Sequence, residues 1–517
     1  MSRIIKEKRS WGQTMKAWLQ PKAVALLFLG FAAGIPLLLI FSTLSVWLTE
    51  AGVERSAVTF FSWAALGYSF KFLWAPLVDL LPLPVLTRLL GRRRSWMLLS
   101  QMSIIGAILW MSSINPVSGE EFLTVMALAA VMLGFSSATQ DIVIDAYRIE
   151  CAEESMQALL ASMYIVGYRS GMLVAGAGSL FLADYLGTTS EMYSYGAWSR
   201  TYMAMAAIMT VGVATTLVIA EPGENRKVSS YSYSADQYFR LFILFLFCMT
   251  TFGLTFFNSS ALFDWIGVSG GQASFFDSVL GSFLRELIRF SLAAACSCCA
   301  GLGMVRCKLV DMEMASRSYV DPIREFFQRY GARTALLILM LVGFYRLSDI
   351  VFGVVSNIFY IDLGFSKNVI GGVTKTFGFA MTLVGCFLGG TLSARYGVHL
   401  ILFLGAVLSA ATNLLFMALA GMGSDVMMLA AVIGADNISA GIATTAFVAY
   451  LSSLTNISFT ATQYAIFSSL MTLLPKLFGG YSGVMVSGLG YSGFFLLTAV
   501  LGIPVMFLVW LVHKRVA

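Results

Sequence analysis

Two carboxylates four residues apart are the side chains in this chain that are most able to do chemistry. Asp141 and Asp145 lie in the stretch Ser136-Ser-Ala-Thr-Gln-Asp-Ile-Val-Ile-Asp-Ala-Tyr-Arg148. A spacing of four places both on one face of a helix. A carboxylate inside an apolar helix at membrane depth costs roughly 2.5–3.5 kcal/mol, so it is rarely kept there without a task. We predict that both carry protons along a solute pathway, although Asp145, nearer the helix end, fits a gating role equally well.

Two cations occur in similarly apolar surroundings. Lys71 lies in Phe70-Lys-Phe-Leu-Trp-Ala-Pro76, where the proline can bend a helix, and Arg169 lies in Gly167-Tyr-Arg-Ser-Gly171. A buried cation needs a carboxylate partner or an anionic ligand. We predict that Lys71 and Arg169 bind a substrate carboxylate. The alternative is a structural ion pair with an aspartate of the 136–148 stretch, and the two arrangements can alternate during a transport cycle.

The second part of the chain has its own charged positions within apolar runs. Arg346 and Asp349 are three residues apart on one helix face, so they either neutralise each other or line a pathway. Lys375 lies near the outer end of its predicted span, and Asp436 lies midway along another. We predict that Arg346, Lys375 and Asp436 bind substrate and that Asp349 takes part in proton coupling.

Asp79 and the cluster Arg92, Arg93 and Arg94 flank a short segment between two apolar runs. Arginines in such a segment fix its side of the membrane. We predict that these four residues act both as a topology anchor and as a cytoplasmic gate.

The elements that must position these side chains are membrane-spanning helices. The chain has 517 residues, of which 58% are hydrophobic and only 12% charged, and its mean hydropathy is +0.81. Runs of about 20 apolar residues, enough to cross roughly 30 Å of hydrocarbon, recur along it. Most of the 33 Lys and Arg residues fall in loops on one side, so we expect both termini in the cytoplasm. This pattern excludes a soluble protein and gives no indication of nucleic-acid binding.

We predict an all-α polytopic membrane protein with fourteen spans. It would have a cytoplasmic N-terminus (1–22), a six-helix half (23–220), a central linker with two inserted transmembrane helices (221–333), a second six-helix half (334–512) and a cytoplasmic tail (513–517). Because an even insertion preserves orientation, the halves form a parallel repeat, as in the major facilitator fold. The approximate spans are 23–47, 56–80, 95–114, 122–146, 158–183, 200–220, 239–260, 278–304, 334–361, 368–392, 399–421, 425–451, 461–488 and 490–512.

Other kinds of site are excluded by the residues present. The Cys296-Ser-Cys298-Cys299 cluster has poor spacing for a metal, and the two histidines, His399 and His513, lie at span ends. The sequence has no glycine-rich loop of the ATP-binding type and no evident pairing of a nucleophile with a base. We therefore expect no cofactor, no bound metal and no enzymatic activity.

Several motifs resemble those of the AmpG-type muropeptide permeases of the major facilitator superfamily. They occur in order through both halves, cover most of 23–512 outside the central insertion, and are specific in combination. The stretches are Leu29-Gly-Phe-Ala-Ala-Gly-Ile-Pro36, Phe70-Lys-Phe-Leu-Trp-Ala-Pro76 with Asp79, Gly91-Arg-Arg-Arg94, Gln140-Asp-Ile-Val-Ile-Asp-Ala146, Gly167-Tyr-Arg-Ser-Gly-Met172, Lys375-Thr-Phe-Gly378, Thr445-Ala-Phe-Val-Ala449 and Ala461-Thr-Gln463.

The resemblance implies a proton-driven importer in the bacterial inner membrane. Its substrates would be anhydromuropeptides (GlcNAc–1,6-anhydroMurNAc with or without peptide), and such uptake serves peptidoglycan recycling and influences β-lactamase induction. A muropeptide carries carboxylates that Lys71, Arg169 or Arg346 could bind. We expect the partners to be this substrate, protons and the lipid bilayer, and we expect a monomer. The long central insertion departs from the usual superfamily pattern and leaves the role of its two helices open.

Two alternatives stay open from the sequence. One is a related carrier of another bulky anion, such as acetyl-CoA. The other is a membrane enzyme or an assembly scaffold on the same architecture. An enzyme should show a convergent nucleophile, base or metal site, and none is visible; a scaffold should tolerate loss of the buried charges.

Overall fold

The computed structural model of the chain describes residues 11–54, 58, 61, 67–189, 192–222, 233–267 and 279–516. Every regular element within these residues is helical. Much of the first part of the predicted span 56–80 lies outside the described residues. So do residues 1–10 of the predicted N-terminal segment, 223–232 and 268–278 of the central linker, and residue 517 of the tail.

The N-terminal part of the chain begins with a short helix and continues with longer apolar ones. The main helices are α1 (Trp11–Trp18), α2 (Pro21–Ile40), α3 (Ser42–Glu50), α4 (Arg92–Ser112), α5 (Glu120–Glu150), α6 (Gln157–Leu173) and α7 (Tyr195–Val218). Shorter helical segments connect them: Gly67–Phe70, Lys71–Leu73, Ala75–Leu80, Leu86–Leu90, Pro116–Ser118, Glu154–Met156, Val174–Gly178 and Ser179–Tyr185.

Residues Lys227–Phe326 form a separate compact unit. Its two long helices are α8 (Ala235–Gly267) and α9 (Val279–Arg306), followed by Met312–Ala315, Ser316–Val320 and the start of Asp321–Tyr330. The two long helices pack side by side, since the Ser297 hydroxyl in α9 donates to the Cys248 carbonyl in α8 at 2.8 Å. The Arg289 guanidinium likewise donates to the Phe256 carbonyl at 2.8 Å.

The other compact unit combines Met1–Arg226 with Phe327–Ala517. Its C-terminal helices are α10 (Ala332–Phe344), α11 (Leu347–Asp362), α12 (Gly378–Tyr396), α13 (Val398–Met422), α14 (Val426–Leu454), α15 (Thr460–Gly479) and α16 (Ser482–Val516). The short segments are Lys367–Val369, Ile370–Phe377 and Ile457–Phe459. α16 contains a break at Gly490, whose φ of 66° and ψ of 173° are not helical.

Twelve helical stretches in the described part of the chain are long and apolar enough to cross a membrane. The all-α, multi-pass class predicted from the sequence is therefore confirmed. Two predicted spans have no counterpart of their own among the twelve. One is 56–80, which is only partly described, and the other is 461–488, where α15 carries the polar Thr462, Gln463 and Lys476. The total of fourteen stays a prediction.

The backbone is irregular at two of the predicted substrate-binding lysines. Lys71 lies in a 3₁₀ turn, Lys71–Leu73, between the helices Gly67–Phe70 and Ala75–Leu80. Pro76 lies in the first turn of the second of these helices, where its missing N–H is tolerated. Lys375 lies in the π-helical segment Ile370–Phe377, and such wide turns often occur at functional positions.

α2 and α6 approach each other so closely that only glycine fits at their contact. A Cβ added at Gly34 would lie 2.0 Å from the Tyr168 carbonyl oxygen, and one at Gly167 would lie 2.0 Å from the Leu27 oxygen. Gly30 and Gly171 show the same relationship, at 2.2 and 2.1 Å from backbone oxygens of the facing helix. Four glycines, paired at spacings of four on each helix, therefore interlock the two backbones, as small residues do between membrane helices.

α12 and α14 pack by the same device. A Cβ at Gly385 would lie 2.3 Å from the Ile438 oxygen, and one at Gly441 would lie 2.6 Å from the Thr382 oxygen. Each part of the main unit thus has a pair of described helices, α2 with α6 and α12 with α14, in backbone contact. The functional side chains described below are carried by these pairs and by their neighbours.

The interlock predicts an asymmetry between two otherwise similar substitutions. Gly167→Ala should lower the thermal unfolding midpoint in detergent, because the methyl group can be accommodated only if the backbones separate, at a cost of about 1–3 kcal/mol. Gly106→Ala in α4 is the control, since nothing lies within 4 Å of its added Cβ. The control should be neutral or slightly stabilising, because alanine is the better helix former. Equal melting of the two variants would contradict the interlock.

Candidate functional site

Asp145 is the centre of a buried ion cluster in the N-terminal half. The Lys71 ammonium lies 3.7 Å from one carboxylate oxygen of Asp145, and the side chains are only 9% and 7% exposed. The Arg148 guanidinium, one turn along α5, lies 3.2 Å from the other oxygen. The predicted alternative of an ion pair between Lys71 and an aspartate of α5 is therefore the arrangement observed, with Asp145 as the partner.

Asp141 has a different environment one turn away. The Tyr164 hydroxyl of α6 donates to its carboxylate at 3.4 Å, and no cation lies within 4 Å of it in the described chain. Lys71 acts on Asp141 only at longer range. The two carboxylates that share a helix face thus differ: Asp145 has two cationic partners and Asp141 has a hydroxyl.

Arg169 of α6 faces Arg346, which immediately precedes α11 in the other half. The two guanidinium groups are close enough to repel each other, and both lie near Cys386 of α12. Among the described residues Arg169 has no carboxylate partner. The predicted pair with an aspartate of α5 does not form here. Arg169 and Arg346, two cations from different halves, are instead electrostatic neighbours.

The C-terminal half contains a second pair of carboxylates. The Ser409 hydroxyl donates to Asp349 at 2.5 Å, and Arg346 lies 3.7 Å from the same carboxylate. The Thr412 hydroxyl donates to Asp436 at 3.1 Å, and Asp436 and Asp349 are near enough to interact electrostatically. Arg346 and Asp349 therefore partly neutralise each other, with Asp436 beside them.

Lys375 does not join these clusters. Its ammonium donates to the side-chain oxygen of Asn357 at 3.4 Å, and this contact is exposed.

A second buried ion cluster lies where α4 begins and α5 ends, at what we call the Asp79 end of the bundle. Arg93 is 1% exposed, and its guanidinium lies 2.7 Å from Asp79 and 2.5 Å from Glu150. Arg92 donates to the backbone carbonyl of Asp79 at 2.5 Å. The predicted association of Asp79 with the arginine cluster is thus present in the structure, and Glu150 completes it.

Asp79 also binds the other half of the protein. Its carboxylate accepts hydrogen bonds from the backbone amides of Ala461 and Thr462, at 3.2 and 2.8 Å, and from the Thr462 hydroxyl at 2.8 Å. These amides are the unpaired donors of the first turn of α15. A carboxylate at this position also interacts favourably with the positive end of the helix dipole. One side chain therefore joins the arginine cluster of one half to a helix terminus of the other.

Arg94 of α4 and Glu221, which follows α7, connect the start of α4 to the end of α7 in the same region. The Arg94 guanidinium donates to the carbonyls of Thr216 and Leu217, at 3.0 and 2.7 Å. The Glu221 carboxylate accepts from the backbone amides of Arg93 and Arg94 at 2.8 and 3.1 Å. Burial raises the pKa of the Glu221 carboxyl above its usual value, and the two amide donors oppose that shift.

Further contacts hold the two halves together at this end. Arg148 donates to the Ser452 hydroxyl at 2.7 Å, and the Ser162 hydroxyl donates to the Cys386 carbonyl at 2.7 Å. Deeper in the bundle, Lys476 donates to the Ser69 hydroxyl at 3.2 Å. These hydrogen bonds add to the packing of α6 against α12, two helices that also belong to different halves.

The N-terminal helix α1 lies across this junction. The Trp18 ring stacks on Phe387 of α12 with centroids 4.8 Å apart. The Arg395 guanidinium, also in α12, lies 4.4 Å from the Trp11 ring centroid. α1 therefore ties the start of the first half to a helix of the second.

Sequence reasoning did not assign roles to three residues of these clusters. Arg148 neutralises Asp145, Glu150 pairs with Arg93, and Glu221 binds the start of α4. The spacing of three between Asp145 and Arg148 could have indicated the first pair. No local signal indicates the other two, because the partners are far apart in sequence. The described residues contain no cluster of three potential metal ligands.

Comparisons with known proteins agree with this architecture. A family model described as acetyl-coenzyme A transporter 1 matches residues 23–237. The chain is 30% identical over 488 residues to a putative transporter AmpG 4 of Rickettsia felis, covering 94% of this chain and 95% of the relative. It is 29% identical to the anhydromuropeptide permease of Escherichia coli strain K12, covering 95% and 80%.

Among solved structures, the chain is similar to a proton:xylose symporter, XylE, of the major facilitator superfamily. The TM-score is 0.56 at 12% sequence identity, and the match covers 96% of this chain and 95% of that one. This similarity shows the major facilitator fold, as the order of spans predicts.

The double pairing of Asp145 predicts unequal costs for removing its partners. Asp145→Asn leaves both Lys71 and Arg148 without their buried counter-charge, and breaking such pairs costs about 3–5 kcal/mol. Lys71→Met leaves Asp145 paired with Arg148, so it should cost less. Thermal unfolding of the purified variants in one detergent measures both. If Lys71→Met proves as destabilising as Asp145→Asn, the pairing with Arg148 does not compensate Asp145.

Proposed function

The chain belongs to the AmpG family of transporters, and from this membership we propose that it imports anhydromuropeptides across the inner membrane in symport with protons. The observation that carries the proposal is the similarity to the anhydromuropeptide permease of Escherichia coli, which extends over 95% of the chain. The substrate would be GlcNAc–1,6-anhydroMurNAc with or without peptide, and its uptake would serve peptidoglycan recycling.

The facing arginines support an anionic substrate. Arg169 and Arg346 come from different halves and repel each other. Among the described residues only Arg346 has a carboxylate partner, which is Asp349. A substrate carboxylate between them would relieve the repulsion, and the planar guanidinium suits bidentate binding of a carboxylate. Lys71, Lys375 and Asp436 remain proposed substrate contacts. The more exposed Lys375 would act during entry rather than at the binding site.

Asp141 is the carboxylate that we propose as the proton carrier. It is buried and lacks a cation within 4 Å in the described residues, whereas Asp145 is held by two. A carboxylate without a counter-ion in apolar surroundings favours the protonated form, and an approaching cation reverses that preference. Movement of Lys71 from Asp145 toward Asp141 would therefore release the proton. Asp349 would play a corresponding part in the second half.

Asp79, Arg92, Arg93 and Arg94 support a closed cytoplasmic gate. Arginines at this end, together with the basic residues of the loops, favour a cytoplasmic location under the positive-inside rule, with both termini on the same side. The Asp79 carboxylate binds the first turn of α15, so opening this end requires the separation of that contact. Since residues of both halves belong to one chain, we propose the monomer as the transport unit.

A second candidate function is transport of another bulky anion such as acetyl-CoA. The match of residues 23–237 to the acetyl-coenzyme A transporter family model favours it. Membrane vesicles given labelled anhydromuropeptide or labelled acetyl-CoA separate the two proposals. We expect accumulation of the muropeptide, driven by an inward proton gradient and abolished by an uncoupler. Uptake of acetyl-CoA alone would replace the first proposal with the second.

Asp141→Asn should separate coupling from binding. The variant cannot carry a proton at this position, so accumulation against a gradient should be lost, while exchange of internal for external substrate should continue. Asp184→Asn is the matched control, because Asp184 is exposed and has no side-chain partner in the described chain. Gradient-driven accumulation by the Asp141 variant at the level of the control would remove Asp141 from the proton pathway.

Arg169→Gln should weaken substrate binding without unfolding the protein. Hydrogen bonds to charged groups contribute about 1.5–3 kcal/mol, so KM should rise about 10- to 100-fold. Arg169→Lys keeps the charge but loses the planar fork, and its KM should be intermediate. Arg200→Gln is the control, since Arg200 is exposed and bonds only to its own helix in the described chain. An unchanged KM in Arg169→Gln would contradict the proposed contact.

A further inference from the structure

A groove of about 880 Å³ opens beside the Asp79 end of the bundle, with Glu221 among its lining residues. Its walls are the start of α2, the end of α5 and the end of α7. The residues that matter for its chemistry are Lys22, Phe28, Cys151, Ala214, Val218 and Glu221. We call it the α2–α7 groove.

One end of the α2–α7 groove is polar and carries an available positive charge. Lys22 is exposed, and its ammonium donates to the Cys151 carbonyl at 2.5 Å. No carboxylate lies within 4 Å of this ammonium in the part of the chain that is described. The nearby Glu221 carboxylate is already bound by the amides of Arg93 and Arg94. The ammonium therefore retains the capacity to bind an anion.

The rest of the groove is apolar and extends away from this polar end. Lys22 and Phe28 are six residues apart on α2, which corresponds to about 9 Å along a helix. Phe28 is 44% exposed and Val218 is 86% exposed, so the apolar walls form part of the outer surface of a membrane protein. Lys22, Cys151 and Glu221 lie at the ends of three spans, which is the boundary between headgroups and hydrocarbon.

We propose that the α2–α7 groove binds an anionic phospholipid. The phosphate of the headgroup binds the Lys22 ammonium, and one acyl chain lies between α2 and α7 along Phe28, Ala214 and Val218. A polar end at the level of the headgroups and an apolar trough leading into the hydrocarbon match the two parts of a phospholipid. Basic pockets between spans are known to select anionic headgroups. This site is separate from the proposed substrate and proton sites.

Lipid binding to the purified full chain tests the proposal. Native mass spectrometry with phosphatidylglycerol should show saturable binding at one high-affinity site, weaker binding of phosphatidylcholine, and no binding of free glycerol phosphate, which lacks the acyl chains. Lys22→Ala should weaken phosphatidylglycerol binding about fivefold. One lysine near an anionic lipid surface contributes about 1 kcal/mol, which corresponds to that change in affinity. Ala214→Trp, which fills the apolar trough, should also weaken it.

Lys16→Ala is the matched control, because Lys16 is an exposed lysine of α1 that does not line the groove. It removes the same charge and should leave the affinity unchanged. If Lys22→Ala lowers the yield of folded protein, Lys22→Gln takes its place, because its amide can still donate to the Cys151 carbonyl. Equal affinity for phosphatidylcholine, or equal effects of the Lys22 and Lys16 variants, would overturn the proposal, as would a normal affinity in Ala214→Trp.

Discussion

A charge buried among apolar helices must be compensated, and in this protein that requirement determines which helices meet. Leaving one partner of a buried pair alone costs about 3–5 kcal/mol. Arg93 therefore holds Asp79 and Glu150 together, and Asp145 holds Lys71 against Arg148. Because the partners come from different segments, each ion pair is also a constraint on the fold. The Asp79 carboxylate extends the constraint to the second half through the first amides of α15.

Two charged residues inside the bundle lack an opposite charge beside them in the described part of the chain, and they are as informative as the paired ones. Arg169 faces another arginine, and Asp141 has only the Tyr164 hydroxyl, within the residues that the structure describes. Such departures from local compensation are expected at functional positions, where the missing partner arrives with the substrate or the proton. The paired charges stabilise the bundle, and the transport cycle that we propose uses Arg169 and Asp141 together with the paired Lys71 and the Asp79 cluster.

The sequence predicts the helical membrane class, because apolar runs of sufficient length leave no other stable structure. It also predicts that Asp141 and Asp145 share a face and that Asp79 lies with the arginine cluster. It cannot predict that Lys71 pairs with Asp145 rather than with Asp141, because the two aspartates share one face of α5 and either could meet a cation opposite that face. Glu150 and Glu221 are unpredictable for a related reason: a sequence shows the cost of a buried charge but not the distant residue that offsets it. The interlock of α2 and α6 likewise depends on facing partners that no single stretch reveals.

That interlock has a mechanical consequence. When the glycines of one helix contact the backbone carbonyls of another, the two helices cannot slide along each other. We therefore expect α2 and α6 to move as one rigid body. α1, which immediately precedes α2, is attached to α12 by two aromatic contacts, Trp18 with Phe387 and Trp11 with Arg395. Arg169 lies on α6 and belongs to this rigid body. A displacement of α1 at the surface of the bundle is therefore transmitted through a stiff link to a guanidinium in its interior.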